Sequence, residues 1–272
     1  MKKKKTILTI ALSFCALGFS QAQDVEKTFI RENMEFAARQ YELMLKTPAQ
    51  GKEGKGVMPH SLRKDGTVSK GSIYLWTAGF FPGSLWYISE YLDNKPLQDS
   101  ALVYTKKMEP MKTFTDNHDI GFMMYCSYGN ANRFEPKPEY KDILVESARS
   151  LCTRFRPKAG VIQSWNGFRS WHGDKVYDFP VIIDNMMNLE LLTWASRETD
   201  SVYYKDIAIN HADKTLQNHF RDDYSCYHVV SYDTITGTPH CKETWQGLND
   251  ESSWARGQAL SLIHISEPTR RS

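Results

Sequence analysis

An apolar period of 3.6 residues recurs through most of this chain and constrains its fold more than any other feature. Ile30, Met34, Ala37, Tyr41 and Leu45 step by 4, 3, 4 and 4 residues. Tyr140, Leu144, Ala148, Leu151 and Phe155 step by 4, 4, 3 and 4. Such spacing paints one apolar stripe along a helix, and the stripe must be buried against another element. Further helices are predicted over 82–93, 97–111, 119–130, 183–198 and 202–220, with an eighth starting near Ser252. The segment from Ile183 is apolar nearly all round, so it is expected to be an inner, fully buried helix. Only 227–232 reads as a strand. The connections alternate in length. Residues 94–96 and 199–201 are short links, whereas 47–74, 156–181 and 233–251 are long and rich in Trp, Gly and His. Short links make helical hairpins, and long loops in a compact domain usually carry function. The pattern predicts an all-α toroid of hairpins with its site loops gathered at one rim.

Both ends are set apart from this pattern. Lys2–Lys5 followed by the apolar stretch 6–19 and the small residues Ser20 and Ala22 has the layout of a secretory signal peptide, residues 1–22. The apolar stretch is shorter than the roughly 20 residues a bilayer span needs. Export to the periplasm or the extracellular space is expected, with no membrane attachment once the leader is removed. At the other end, 260–270 resembles the translation of a sequencing adapter, so 260–272 is expected to be a non-native tail on a catalytic domain over 23–259. A ring of hairpins ended there is expected to stay open and fold poorly, with the tail making few core contacts. Setting aside the four leader lysines and the tail's one excess positive charge takes the formal +2 to −3, which excludes a nucleic-acid footprint.

Cys126, Cys152, Cys226 and Cys241 match no zinc spacing and are expected to be buried free thiols. The eight histidines are scattered, no HExxH pattern occurs, and the segment 51–56 lacks phosphate-loop spacing and reads as a flexible turn. Neither a metal nor a cofactor is predicted. Two carboxylates, Asp119 and Asp184, each open an otherwise apolar helix. Such residues are often plain helix caps. A facing pair of them would instead supply the general acid and base that glycosidic cleavage needs. Trp76, Phe80, Trp165, Trp171, Trp245 and Trp254 lie in or beside loops and helix starts, where a sugar could stack, while Trp86 and Trp194 fall inside helices and read as core. Arg256 offers a donor fork for a carboxylate.

Six phrases then occur in order: Trp76-Thr77-Ala78-Gly79-Phe80-Phe81-Pro82-Gly83, His118-Asp119-Ile120-Gly121-Phe122, Ile183-Asp184-Asn185-Met186-Met187-Asn188, Tyr227-His228-Val229-Val230, Gln246-Gly247, and Asp250 through Ala259. Together they resemble glycoside hydrolase family 88, the unsaturated glucuronyl hydrolases. The resemblance implies an (α/α)6 barrel, with eight of its twelve helices visible here. It also implies removal of the unsaturated uronic acid from the non-reducing end of lyase-generated oligosaccharides, by hydration of the sugar's double bond. It assigns Asp184 as principal acid/base and Asp119 as its partner. Trp76, Phe80, His118, Trp165, His228, Gln246, Trp254 and Arg256 would line the sugar site. An unsaturated rhamnogalacturonyl hydrolase shares the barrel and chemistry, and a noncatalytic glycan-binding protein would need the tryptophans but not two inward carboxylates.

Overall fold

The computed structural model describes residues 26–47 and 56–262, so the leader, most of the 51–56 turn and residues 263–272 lie outside the described residues. Helix α1 covers 26–46, as its stripe predicts. The strands β1 (Met58–Leu62) and β2 (Val68–Gly71) form a hairpin, and a 3-10 turn at Trp76–Gly79 leads into α2 (Phe80–Leu92). Helices α2 and α3 (Lys95–Lys107) pack as one hairpin, and α7 (Asn185–Thr199) and α8 (Val202–Asn218) as another. Both hairpins turn in the same way. Asp93 and Asp200 take left-handed backbone at φ 51° and 52°, closing the first helix of each pair. Asn94 then caps α3 by accepting from the Leu97 amide at 3.1 Å.

Between the hairpins lie α4 (Ile120–Met124), a π turn at Tyr125–Gly129, α5 (Asn130–Phe134) and α6 (Pro138–Cys152). One continuous core runs through these helices, from Trp86 and Leu85 to Met123, Leu144, Leu189 and Leu192. Gly121 allows α4 to lie directly on α7: a Cβ there would stand 2.4 Å from Asn188 Oδ1. The Phe122 amide instead donates to that oxygen at 3.0 Å.

Three expectations need correction. The predicted helix 97–111 stops at Lys107 and continues as a 3-10 turn over Glu109–Thr113, because Pro110 supplies no amide hydrogen. Helix α7 is not buried all round, since Glu190 is exposed and, with Met187, lines a cleft of about 500 Å3 against α2 and α5. Strands are also more numerous than the single one expected. In and beside the long loops lie β3 (Phe155–Arg156) with β4 (Val161–Ile162), β5 (Phe168–Arg169) with β6 (Val176–Tyr177), and β7 (Pro180–Ile182) and β9 (Pro239–Glu243), which flank the expected strand β8 (Val229–Tyr232) in one antiparallel sheet. Most of these strands are two or three residues long, too short for alternation to register.

The last helix, α9, spans Ala255–Ser261 and so continues past Ala259. Ser261 is buried and donates to the Gln258 carbonyl at 2.6 Å, so the first residues of the expected tail belong to the helix. The four cysteines are free, three buried and Cys126 partly so. Among the described residues no helix is long and apolar enough to cross a membrane.

Candidate active site

The β7–β8–β9 sheet brings three distant segments to one end. Ile182 pairs with Val229, and Val229 with Glu243. Asp184 therefore leaves β7 beside His228, which enters β8, and beside Trp245 and Gln246, which follow β9. The Ile183 amide donating to the His228 carbonyl at 3.0 Å closes this end. Asp119 arrives from the other side. The His118 amide donates to the Ser164 carbonyl at 3.0 Å, and the Ser164 amide to the Pro180 carbonyl at 2.9 Å. The Ser164 hydroxyl accepts from the Ile182 amide at 2.9 Å and lies 3.3 Å from His118 Nδ1.

Neither carboxylate caps its helix, although each sits at the first position before one. Asp184 is 6% exposed, and its Oδ2 is buried without a hydrogen-bond partner. Burial raises the pKa of Asp184, Arg256 opposes that shift, and the Asp119 carboxylate adds to it. Burial pushes Asp119 up to about 7 against the pull of Arg154. Asp184 therefore lies within reach of the Asp119 charge, the smallest of the influences on it.

Two buried imidazoles attend the pair, and their protonation can be read from their neighbours. Asn188 Oδ1 accepts from the Phe122 amide, so its Nδ2 is the donor and reaches His118 Nδ1 at 3.3 Å. His118 Nδ1 is thus an acceptor, and the proton resides on Nε2, 3.3 Å from Asp119 Oδ1 though off hydrogen-bond alignment. His228 Nδ1 accepts from the backbone amides of Trp245 and Gln246 at 3.0 and 3.2 Å, so its Nε2 also carries the proton, 3.7 Å from Asp184 Oδ2. Burial holds both imidazoles down to about 4 and therefore neutral at ordinary pH. Each carboxylate faces one neutral N–H.

Arg256 stands beside Asp184, Nε to Oδ1 3.9 Å, and donates to Gln246 Oε1 at 2.7 Å. Its guanidinium lies between the rings of Trp76 and Trp254, 4.9 and 4.1 Å from their centroids. Trp254 in turn packs on His228 at 4.4 Å, and Phe80 packs edge-on against Trp76 at 5.8 Å. Of the ten residues named from the sequence, nine are linked in this way. Trp165 stands apart, on an aromatic ladder through Phe168 to Trp245. The expected core tryptophans Trp86 and Trp194 are buried.

Sequence reasoning missed Asn185, Asn188, Ser164 and Arg154. Asn185 and Asn188 stand three apart in a helix, a spacing that puts both on one face, and Asn188 Nδ2 donates to Asn185 Oδ1 at 3.2 Å. That signal was available. Ser164 and Arg154 lie in irregular chain, with no spacing to mark them. Arg154 is 5% exposed and donates to Thr115 O, to Gln163 O at 2.8 Å and to Asn166 Oδ1 at 3.0 Å. Among the described residues no group of three or more His, Cys, Asp or Glu side chains is placed to hold a metal.

Paired carboxyls flanked by neutral imidazoles, one guanidinium and tryptophan faces define a site of the kind found in carbohydrate-cleaving enzymes. No family model matches the chain. It is 45% identical over 188 residues to an unsaturated glucuronyl hydrolase of Formosa agariphila, an alignment covering 69% of this chain and 46% of that protein. It is 34% identical over 195 residues to an unsaturated chondroitin disaccharide hydrolase of Streptococcus pyogenes serotype M1, covering 70% and 47%. The crystal structure of an unsaturated glucuronyl hydrolase specific for heparin superposes with a TM-score of 0.77 at 41% identity, over 87% of this chain and 62% of that one. The unsaturated glucuronyl hydrolase of Bacillus sp. GL1 gives 0.69 at 29% identity, over 77% and 57%. The chain spans about half the length of the curated relatives it matches. It belongs to the unsaturated glucuronyl hydrolases, glycoside hydrolase family 88, and its hairpins are those of the (α/α)6 barrel class.

Proposed function

We propose that the protein removes the unsaturated uronic acid from the non-reducing end of oligosaccharides produced by polysaccharide lyases. The observation that carries this reading is the pair of carboxyls, Asp184 buried and Asp119 half-buried, each raised by desolvation and each beside a neutral imidazole N–H. A carboxyl whose acid form is favoured by burial can deliver a proton to carbon, and its conjugate base can then take one from water. In the proposed sequence Asp184 protonates C4 of the sugar's double bond and then draws a proton from the water that adds to C5. The product is a hemiketal. Its ring opens to the ketone, and the exposed hemiacetal at C1 releases the leaving sugar. Asp119, with His118 at its side, holds the charge balance of the pair. Arg256 faces the sugar carboxylate with its fork of donors, in a slot walled by Trp76 and Trp254. His228, Gln246, Phe80 and Trp165 complete the proposed lining.

The names of the relatives support this substrate class, since unsaturated glucuronyl and chondroitin-disaccharide hydrolases are among them. Two carboxyls whose acid forms are both favoured by burial, at one end of the molecule, argue against a noncatalytic glycan binder. Export by the leader 1–22 belongs to the same proposal, and rests on the basic run Lys2–Lys5 and the apolar stretch that follows it. The test is loss of ultraviolet absorbance of the conjugated double bond in lyase-made disaccharides. Asp184→Asn should cut turnover at least about a thousandfold at an unchanged melting temperature, since the amide keeps the shape and cannot cycle a proton. A variant with substantial residual activity removes Asp184 from this role.

A further inference from the structure

The four backbone amides that follow strand β9, Thr244 to Gly247, each donate to a side chain. Those of Trp245 and Gln246 meet at His228 Nδ1, at 3.0 and 3.2 Å. The Gly247 amide donates to Thr244 Oγ1 at 2.8 Å, which closes the turn on itself. The Thr244 amide donates to Asp250 Oδ1 at 2.9 Å. Two successive N–H groups aimed at one acceptor form a small nest, and both peptide planes must be held at a set angle. Asp250 supplies the fixed point. Its Oδ1 also accepts the indole N–H of Trp171 at 2.9 Å, and its Oδ2 meets His172 Nε2 at 2.8 Å. An ionised carboxylate only accepts, so His172 presents a proton to it and three N–H groups converge on one side chain. The Asp250 carbonyl accepts from the Arg221 guanidinium at 2.7 Å. That guanidinium lies 3.8 Å from the ring centroid of Tyr227, the residue before His228.

None of these bonds goes to Asp119, Asp184 or Arg256, so the influence of Asp250 on the chemistry passes through the turn. We propose that Asp250 is a positioning residue: by pinning the Thr244 amide it fixes the two-amide clamp on His228 Nδ1, and so keeps the imidazole proton on Nε2, toward Asp184. Its part in the reaction rests on the glycosidase reading above, whereas its hold on the tautomer does not. With the clamp in place, Nε2–H stands 3.7 Å from Asp184 Oδ2 while that carboxyl gives up and regains a proton. Without it the proton moves between the two ring nitrogens. On Nδ1 it leaves a lone pair at Nε2 facing a carboxylate, which disfavours the ionised form of Asp184.

Nitrogen-15 NMR of the full chain reads the tautomer directly, with His228→Gln identifying the His228 signals. The parent protein should show a protonated Nε2 and an unprotonated Nδ1 at neutral pH. Asp250→Ala should give a mixture of tautomers and lower kcat on a lyase-made disaccharide by about 10- to 100-fold, with KM changed much less. Asp250→Asn keeps an oxygen for the Thr244 and Trp171 N–H groups, so it should retain one tautomer and a kcat within about threefold of the parent. Should Asp250→Ala fail to fold, Thr244→Val takes its place, since it removes the acceptor of the Gly247 amide and loosens the same turn. A pure Nε2 tautomer in the loosened variant overturns the proposal, as does a mixture with unchanged kcat. An Asp250→Asn protein as impaired as Asp250→Ala overturns it too. A parent that does not turn over the disaccharide overturns the glycosidase reading, and the tautomers of parent and variants still decide whether Asp250 holds His228.

Discussion

Trp86 and His228 are both almost inaccessible to solvent, at 0% and 2% exposure, and they are held in opposite ways. Trp86 is enclosed by the helical core and stacked on Phe134 at 5.6 Å, with one hydrogen bond from its indole to Thr105 Oγ1. His228 is held by the two amides on its Nδ1 and by strand pairing on either side of it. The hairpin region as a whole follows Trp86, with a continuous apolar core and a few polar bonds at helix ends. The loop wall over 155–182 and 219–254 follows His228. It has two small apolar clusters and is tied by polar hubs at Ser164, His228 and Asp250. Apolar contacts are nondirectional and many, so they fix a scaffold within broad tolerance. Polar hubs are few and directional, so they fix angles and protonation states, and each one matters.

This contrast can be broken by substitution. Trp86→Ala should have the largest effect on stability, about 3–5 kcal/mol, seen as a large fall in melting temperature. A loss under 1 kcal/mol would show that the hairpin core does not behave as a packed scaffold. Arg256→Ala is expected to lower kcat/KM by about 10- to 100-fold through a charge-assisted contact, with little change in melting. Unchanged kinetics would return Arg256 to the status of a surface charge. Ser164→Ala should cost about 1–2 kcal/mol and should lower kcat more than that cost implies, because the hydroxyl serves both the Ile182 amide and His118. Equal small losses in stability and activity would mean that the wall has slack.

The smallest expected effect is a shift in pH dependence. The Arg154 guanidinium favours the ionised form of Asp119, so Arg154→Met should move the limb near pH 7 to higher pH, while Arg154→Lys should leave it nearly in place. A limb unmoved in both variants would detach Arg154 from the site. The sign for stability follows from the same group. Its folded pKa, about 7, lies above the ordinary 3.8, so folding retains a proton that the unfolded chain gives up. Its contribution to stability is full below about pH 3.8 and is lost as the pH rises through about 7.

The same contrast explains what could be read from the residues. Helices with sustained periodicity, such as α6 and α8, were legible to within a few residues at their ends, because a long stripe has many independent positions. The wall's strands were not legible, since Phe155–Arg156 and Val176–Tyr177 are too short to alternate. Asp119 and Asp184 were visible as polar residues opening apolar helices, but not the absence of capping bonds that marks them as more than helix ends. Arg154 was invisible: its partners Thr115, Gln163 and Asn166 lie on both sides of it along the chain and meet it only in the folded form.

The contact between Gly121 and Asn188 has a consequence for the distance across which the chemistry takes place. Asp119 stands two residues before that contact on one helix, and Asp184 four residues before it on the other. Such short lever arms leave little chain to absorb an error. Alanine at 121 would put a methyl group 2.4 Å from the amide oxygen and 2.6 Å from the Asn188 Cα, so the helices would have to separate by roughly 1 Å. That separation would pass almost whole into the gap between the two carboxyls, and a misplacement of about 1 Å can cost on the order of a hundredfold in rate. The missing side chain thus works as a gauge block, setting the span of the reaction from a residue that touches neither sugar nor water.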